Sequence, residues 1–184
     1  MTNSSAFRLD EAIPILERTP AALDALLRGL PDTWTHRNEG GTTWNAFDIV
    51  GHLIFADRTD WLPRLHRILK NGETRPFDPF DRHGQVKASA GKSLDQLLDE
   101  FSVVRRESVL ELRSLNLQPA DMERRGQHPA LGPVTASELL STWAAHDLNH
   151  LHQLSRVMAH QYRDLVGPFA AYLGVMHCEG HSAA

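Results

Sequence analysis

His146 and His150 stand four residues apart inside the apolar-periodic run TASELLSTWAAHDLNHLHQ at 135–153. Each residue of an α-helix turns about 100°, so residues four apart lie about 40° apart around the axis. Both imidazoles can therefore reach one ion from a single helix face. A third histidine, His52, lies in a second apolar run, IVGHLIF at 49–55. Three inward imidazoles on a divalent metal leave positions open for water or substrate, as reactive sites do and sealed structural sites do not. The competing reading is three ordinary core histidines, each satisfied by a backbone carbonyl. The surroundings favour the metal. Leu139, Trp143 and Leu154 share the broad face of His146 and His150, and Ile49 and Phe55 flank His52 three residues to either side. Three separately buried imidazoles are costly unless each gains a partner, and one shared ion serves all three. The expectation is one divalent ion per chain, held by His52, His146 and His150 at about 2.0–2.2 Å.

The remaining candidates fail on geometry. His152 is about 200° around the helix from His150, and His66 lies about 21 Å beyond His52 along an ideal helix, with Pro63 between them. His160 belongs to later turns. Asp147 is rotated about 100° from His146 and is expected to support a ligand or lie on the helix surface, not to bind the ion. The string HDLNH invites comparison with the H-E-x-x-H helix of zinc peptidases, whose glutamate is the general base. Asp147 is one methylene shorter and would have to cover the same reach to a bound water, and no downstream sequence resembles the metzincin extension. Phe55, Trp143 and Asn149 lie one turn from the ligands and are candidates to line a pocket, with plain core packing as the competing role of each. No residue stands out as a catalytic acid or base. His36, His83, His128 and His181 sit among Gly, Pro, Asp, Arg or Ser and read as surface loop or tail. The sole cysteine, Cys178, excludes an intrachain disulfide and reads as an unremarkable thiol.

Four helical segments must position these side chains. They are expected at about 8–29, 45–70, 93–115 and 135–161. Three open with a reciprocal capping pair: Asn45 with Asp48, Ser93 with Gln96, and Thr135 with Glu138. Pro14 and Pro20 should kink or divide the first helix, and Pro63 should kink the second. Connections at 71–92 and 116–134 carry Gly and Pro and can serve as crossovers or as walls of a cleft. No long segment alternates with period two, so a sheet is not expected. Pro168 should open a short docked helix in the tail. Burying four apolar stripes makes an all-α four-helix bundle, with long crossover loops and a short C-terminal helix, the natural architecture for one domain of 184 residues.

The whole chain narrows the function. A net charge of −4 argues against nucleic-acid binding. No apolar run approaches the roughly 18 residues of a membrane span, and the N-terminus lacks the apolar core of a signal peptide. The expected setting is the cytoplasm.

With His52 in the second helix and HDLNHLHQLSR at 146–156 in the last, the chain resembles the DinB-like superfamily over nearly its full length. The ordered set TWNAFDIVGHL at 43–53, DRTDW at 57–61, GKSLDQLLDEF at 91–101 and QYRDLVGPF at 161–169 carries the resemblance. It implies an up-down-down-up four-helix bundle, often a homodimer, with His52, His146 and His150 binding Ni²⁺ or Zn²⁺ (Fe or Mn being alternatives). It also implies a metal-dependent transferase in which the ion activates a low-molecular-weight thiol against a small electrophile. A hydrolase using metal-activated water and a non-catalytic, stress-related metal-binding bundle are the alternatives. Ergothioneine-type sulfoxide synthases carry a glutamate two residues after the last ligand. This chain has His152 there, and a large additional domain like theirs is not expected.

Overall fold

The computed structural model describes residues 7–177; Cys178 and His181 lie outside them. The chain runs α1 (Leu9–Leu27), α2 (Asp32–Thr35), α3 (Ala46–Ala56), a π-helical turn (Asp57–Trp61), α4 (Leu62–Asn71), α5 (Gly84–Ser89), α6 (Leu94–Ser114) and α7 (Pro119–Met122). A two-stranded ribbon of β1 (Arg125–His128) and β2 (Gly132–Thr135) then leads into α8 (Ala136–His160), followed by 3₁₀ turns at Gly167–Tyr172 and Gly174–Met176.

All three expected capping boxes form. Asn45 Oδ1 accepts from Asp48 N at 2.9 Å, Ser93 Oγ from Gln96 N at 3.2 Å, and Thr135 Oγ1 from Glu138 N at 3.1 Å; each N3 side chain returns the bond to the cap backbone. These pairs satisfy N–H groups that a helix start leaves orphaned, which is why the starts of α3, α6 and α8 are readable from local sequence.

Pro14 and Pro20 do not divide the first helix: α1 runs unbroken through both. Pro20 has no N–H to offer the Leu16 carbonyl one turn back, and that oxygen instead accepts from Arg105 Nη1 of α6 at 3.0 Å. The helix survives because its buried face, Ile13, Leu16, Leu23 and Leu27, is held by packing. In the second helical segment the ladder loosens into the π turn just before Pro63, which then sits in the first turn of α4, where a missing N–H costs little.

Buried residues form two apolar clusters, and their order along each helix gives the topology. The N-terminal half of α1 (Ile13, Leu16) joins the C-terminal half of α6 (Val109, Leu112), α4 (Leu65, Ile68) and the start of α8 (Leu139, Trp143). The C-terminal half of α1 (Leu23, Leu27) joins α3 (Ile49, Leu53), the start of α6 (Leu97, Phe101) and the end of α8 (Leu154, Val157). So α1 and α8 run one way and α3 and α6 the other: up, down, down, up. Around the bundle α1 packs on α6 and α8, and α3 packs on the same two. Between the clusters lies a polar belt of Thr19, His52, Asp57, Arg105, Ser108, Asp147, His150 and Gln153, all buried, with the half-buried His146.

Two connections carry more structure than expected. The parallel pair α3 and α6 needs a long crossover; it contains α5, laid on α3. The second connection holds the antiparallel ribbon, where Arg125 pairs with Thr135 and His128 with Gly132. Strands of four residues are too short for alternation to register against the surrounding turn residues. Phe77 N donates to Gln127 O at 2.9 Å and ties the two connections together. The tail forms the expected short helix in 3₁₀ form, with Pro168 in its first turn, Phe169 and Tyr172 exposed, and the half-buried Val175 and Met176 in the next turn, which meets α8.

Candidate metal centre

α3 and α8 each carry their histidines into the polar belt. His146 Nε2 lies 3.1 Å from His52 Nε2 and 3.0 Å from His150 Nε2. His52 is 7% and His150 4% exposed. The three side chains converge as the four-residue spacing requires, and together they can hold a metal ion.

The donor set fits a cation and does not fit hydrogen bonding alone. An imidazole nitrogen has one in-plane site, either an N–H or a lone pair. His150 Nδ1 lies 2.7 Å from Gln153 Oε1. With the amide oxygen accepting, the proton sits on Nδ1 and the Nε2 lone pair points at His146. His146 Nε2 has two imidazole neighbours and at most one proton, so it cannot hydrogen-bond to both. One ion among the three nitrogens removes the conflict. At metal–nitrogen distances of about 2.0–2.1 Å, ligand nitrogens lie about 2.9 Å apart at a right angle and about 3.4 Å apart at the tetrahedral angle. The two contacts fall within that range.

Electrostatics holds the triad neutral. Burial, then the neighbouring His150, push His52 down to about 3. Burial, followed by His150, His52 and Arg105, pushes His146 down to about 2. Burial also lowers His150, opposed by Gln153 and Asp147. Neutral imidazoles are the metal-binding form.

Beneath the triad sits a buried ion cluster. Arg105 donates through Nε to Asp57 Oδ2 at 2.7 Å, through Nη2 to Asp57 Oδ1 at 2.9 Å and to Asp147 Oδ1 at 3.0 Å, and through Nη1 to Asp147 Oδ2 and the Leu16 carbonyl. Five contacts match the five N–H donors of a guanidinium. Asp147 is therefore neither a ligand nor a surface residue. It turns into the core, away from the nitrogens, as its 100° offset from His146 dictates.

The pocket candidates land elsewhere. Trp143 is fully buried, donating its indole N–H to Asp57 Oδ1 at 3.2 Å and stacking on Trp61 at 5.9 Å. Asn149 is exposed on α8. Phe55 packs against Phe80 at 5.6 Å. The cleft that reaches the triad, about 490 Å³, is lined by Trp44, His52, Arg64, Phe80, Arg82 and His128, together with Pro79, Pro129 and Ala130. Trp44 and Phe80 lie 4.7 and 5.6 Å from the His52 ring. His128, expected as a surface loop residue, is half-buried on β1. Apart from His52 and Arg64, this lining comes from the connections, which sequence periodicity does not place. Arg105 did leave a signal: it occupies the buried stripe of Phe101, Val104, Ser108 and Leu112 on α6. His66 pairs with Glu111 at the surface, and His152 is exposed, as their positions predict.

Among solved structures, YfiT from Bacillus subtilis, described as a probable metal-dependent hydrolase with an unusual four-helix bundle topology, aligns over 90% of this chain and 93% of its own. Its TM-score is 0.68 at 18% identity, a likeness of fold. TT2238, a four-helix bundle protein, aligns over 79% of this chain and 97% of its own at 24% identity with a TM-score of 0.49. No curated protein matches the chain. Residues 15–154, well over half of the chain and including all three histidines, match the DinB superfamily, and the chain belongs to that superfamily.

Proposed function

We propose that this protein is a divalent-metal-dependent enzyme acting on a small molecule, with His52, His146 and His150 as the ligands and Ni²⁺ or Zn²⁺ as the ion. The observation that carries the reading is the convergence of three neutral imidazoles at a cleft, with His52 forming part of its wall. A divalent ion bound by neutral ligands keeps its full charge and lowers the pKa of a coordinated thiol or water.

Of the two nucleophiles, the surroundings favour the thiol. Asp57 and Asp147 are committed to Arg105, and Asp60 is committed to Arg64 at 2.6 Å. These carboxylates are thus engaged and not poised as a general base for water. A thiol needs no such base, because metal coordination alone deprotonates it. The proposed activity is transfer of a low-molecular-weight thiol to a small electrophile. Gln153 holds the His150 ring, Trp44 and Phe80 flank His52, and the buried Arg105 cluster anchors α8 beneath His146. The hydrolase reading is second, supported by the description of YfiT. The protein is further proposed to act as a homodimer, which light scattering would register as a particle of twice the 20.6 kDa chain mass.

The test is metal analysis of untagged protein, followed by a thiol–electrophile conjugation screen run beside an ester and amide hydrolysis screen. Stoichiometric metal and thioether formation, both lost in His150→Ala with helicity retained, are expected. Hydrolysis without conjugation would move the assignment to the second reading, and a metal-free, inactive wild type would reject both.

A further inference from the structure

The cleft beside the triad holds one oriented polar group that the triad does not use. His128, at the end of β1, lines it together with His52. Its Nδ1 accepts from the backbone N of Ala130 at 3.2 Å and of Leu131 at 3.1 Å. An imidazole nitrogen that accepts carries no proton, so the ring is the neutral Nε2–H tautomer. Burial, then the nearby Arg64 cation, lower the His128 pKa and keep it in that form at neutral pH. Nδ1 is thus turned back onto the loop between β1 and β2, and the Nε2–H bond points nearly the other way. Among the described residues none accepts from Nε2, and the atom is not buried.

The rest of the lining offers no free charge. Arg64 Nε is paired with the buried Asp60 at 2.6 Å, and Arg82 is engaged as well. Trp44 and Phe80 supply aromatic surface, 4.7 and 5.6 Å from the His52 ring. Pro79, Pro129 and Ala130 add further apolar wall. At about 490 Å³ the space suits a small molecule. Apolar walls with one oriented neutral donor select a flat, uncharged ligand that carries an acceptor. An ionised ligand would lose hydration there without gaining a counter-charge.

We infer that this cleft binds a small neutral carbonyl compound, its apolar body against Trp44 and Phe80 and its oxygen accepting from His128 Nε2–H. The inference rests on the metal-enzyme reading for its catalytic meaning: it names the class of electrophile, since a hydrogen bond to the carbonyl oxygen makes the attached carbon framework more electrophilic. Binding itself does not require the ion, so the two ideas fail separately.

The test is NMR titration of the full chain, ring-¹⁵N-labelled at histidine, metal-free and Zn²⁺-loaded, with acetophenone and with α-methylstyrene, which has the same shape but no oxygen. In the wild type acetophenone should move downfield the Nε2–H nitrogen of one imidazole that Zn²⁺ leaves in place, and α-methylstyrene should not. His128→Asn keeps the turn, because the amide Oδ1 can accept from Ala130 N and Leu131 N in place of Nδ1, but it has no donor at the Nε2 position. That variant should bind acetophenone about fivefold more weakly, the size of one neutral hydrogen bond, with α-methylstyrene affinity unchanged. Should the variant not fold, the wild-type shift decides alone. A His128 ring protonated on Nδ1, no acetophenone binding at millimolar concentration, or unchanged acetophenone affinity in His128→Asn overturns the inference. So does a loss that falls equally on both probes, which would make His128 only part of the wall. Binding that appears only with Zn²⁺ and persists in His128→Asn overturns it too, because the carbonyl would then be on the ion. A wild type that takes up no Zn²⁺ yet keeps the His128-dependent binding would reject the metal reading and leave the carbonyl site standing.

Discussion

At the scale of single residues, the triad is a set of imidazoles kept from protons so that their lone pairs stay available. In the unfolded chain a histidine titrates near 6.5, whereas in the fold burial holds His52 at about 3 and His146 at about 2. As pH falls below about 6.5, the unfolded chain binds protons that the native state refuses, so the stability of the metal-free protein falls with it. Above about 6.5 both states are neutral at these positions and the contribution is complete. The melting temperature of chelator-treated protein should therefore drop as pH is lowered from about 7.5 to about 5, and His52→Gln should flatten that slope. A wild-type slope equal to the variant's would mean that the folded imidazoles protonate freely. These histidines were legible in the sequence because the helical period alone aligns His146 with His150 and the apolar neighbours of His52 turn it inward. The partners of Arg105 were not, because Asp57 and Asp147 lie 48 and 42 residues away on other helical segments. No local pattern reveals that a charged residue in an apolar stripe will find two carboxylates and a proline-freed carbonyl.

Between elements, that arginine is the principal polar tie. It joins α6 to α1 through the Leu16 carbonyl, to the π turn through Asp57 and to α8 through Asp147. Removing one partner of a buried cluster strands the others' charges. Arg105→Met, which keeps the volume but leaves Asp57 and Asp147 unpaired, should cost about 3–5 kcal/mol. The triple variant Asp57→Leu, Arg105→Met, Asp147→Leu should recover most of that loss, read as the denaturation midpoint in urea. If the triple variant is as unstable as the single one, the cluster's worth lies in its shape and not in compensated charge. The close approach of α5 to α3 has another origin. A Cβ at Gly51 would lie 2.4 Å from Ser89 Oγ, and one at Gly84 would lie 2.1 Å from the Phe55 ring. The capped helix starts were legible because their signal spans four residues. The π turn, the ribbon and the seating of α5 were not, since each is decided by contacts between segments distant in sequence.

At the scale of the whole molecule, the up-down-down-up order places a polar belt across the bundle between two apolar clusters. Each cluster draws on every long helix of the bundle, so the fold does not depend on the belt for its cohesion. A metal in the belt would then behave as a ligand of a preformed site, unlike the ion of a zinc finger, whose domain is unfolded without it. Chelator treatment should leave the far-ultraviolet helical signal essentially intact while lowering the melting temperature. Free Zn²⁺ at a hundred times its dissociation constant adds about 2.7 kcal/mol, roughly 5–10 °C for a chain of this size. Differential scanning calorimetry across a Zn²⁺ titration would show that rise growing with the logarithm of the free ion. Collapse of helicity on chelation would instead make the ion part of the scaffold. The buried Arg105 cluster, the capping boxes and the two apolar halves would then fall short of holding the bundle together. Retained helicity with a titratable rise in melting temperature is what a site kept open for chemistry requires, because an ion that must enter, exchange and accept substrate cannot also be the element that folds the chain.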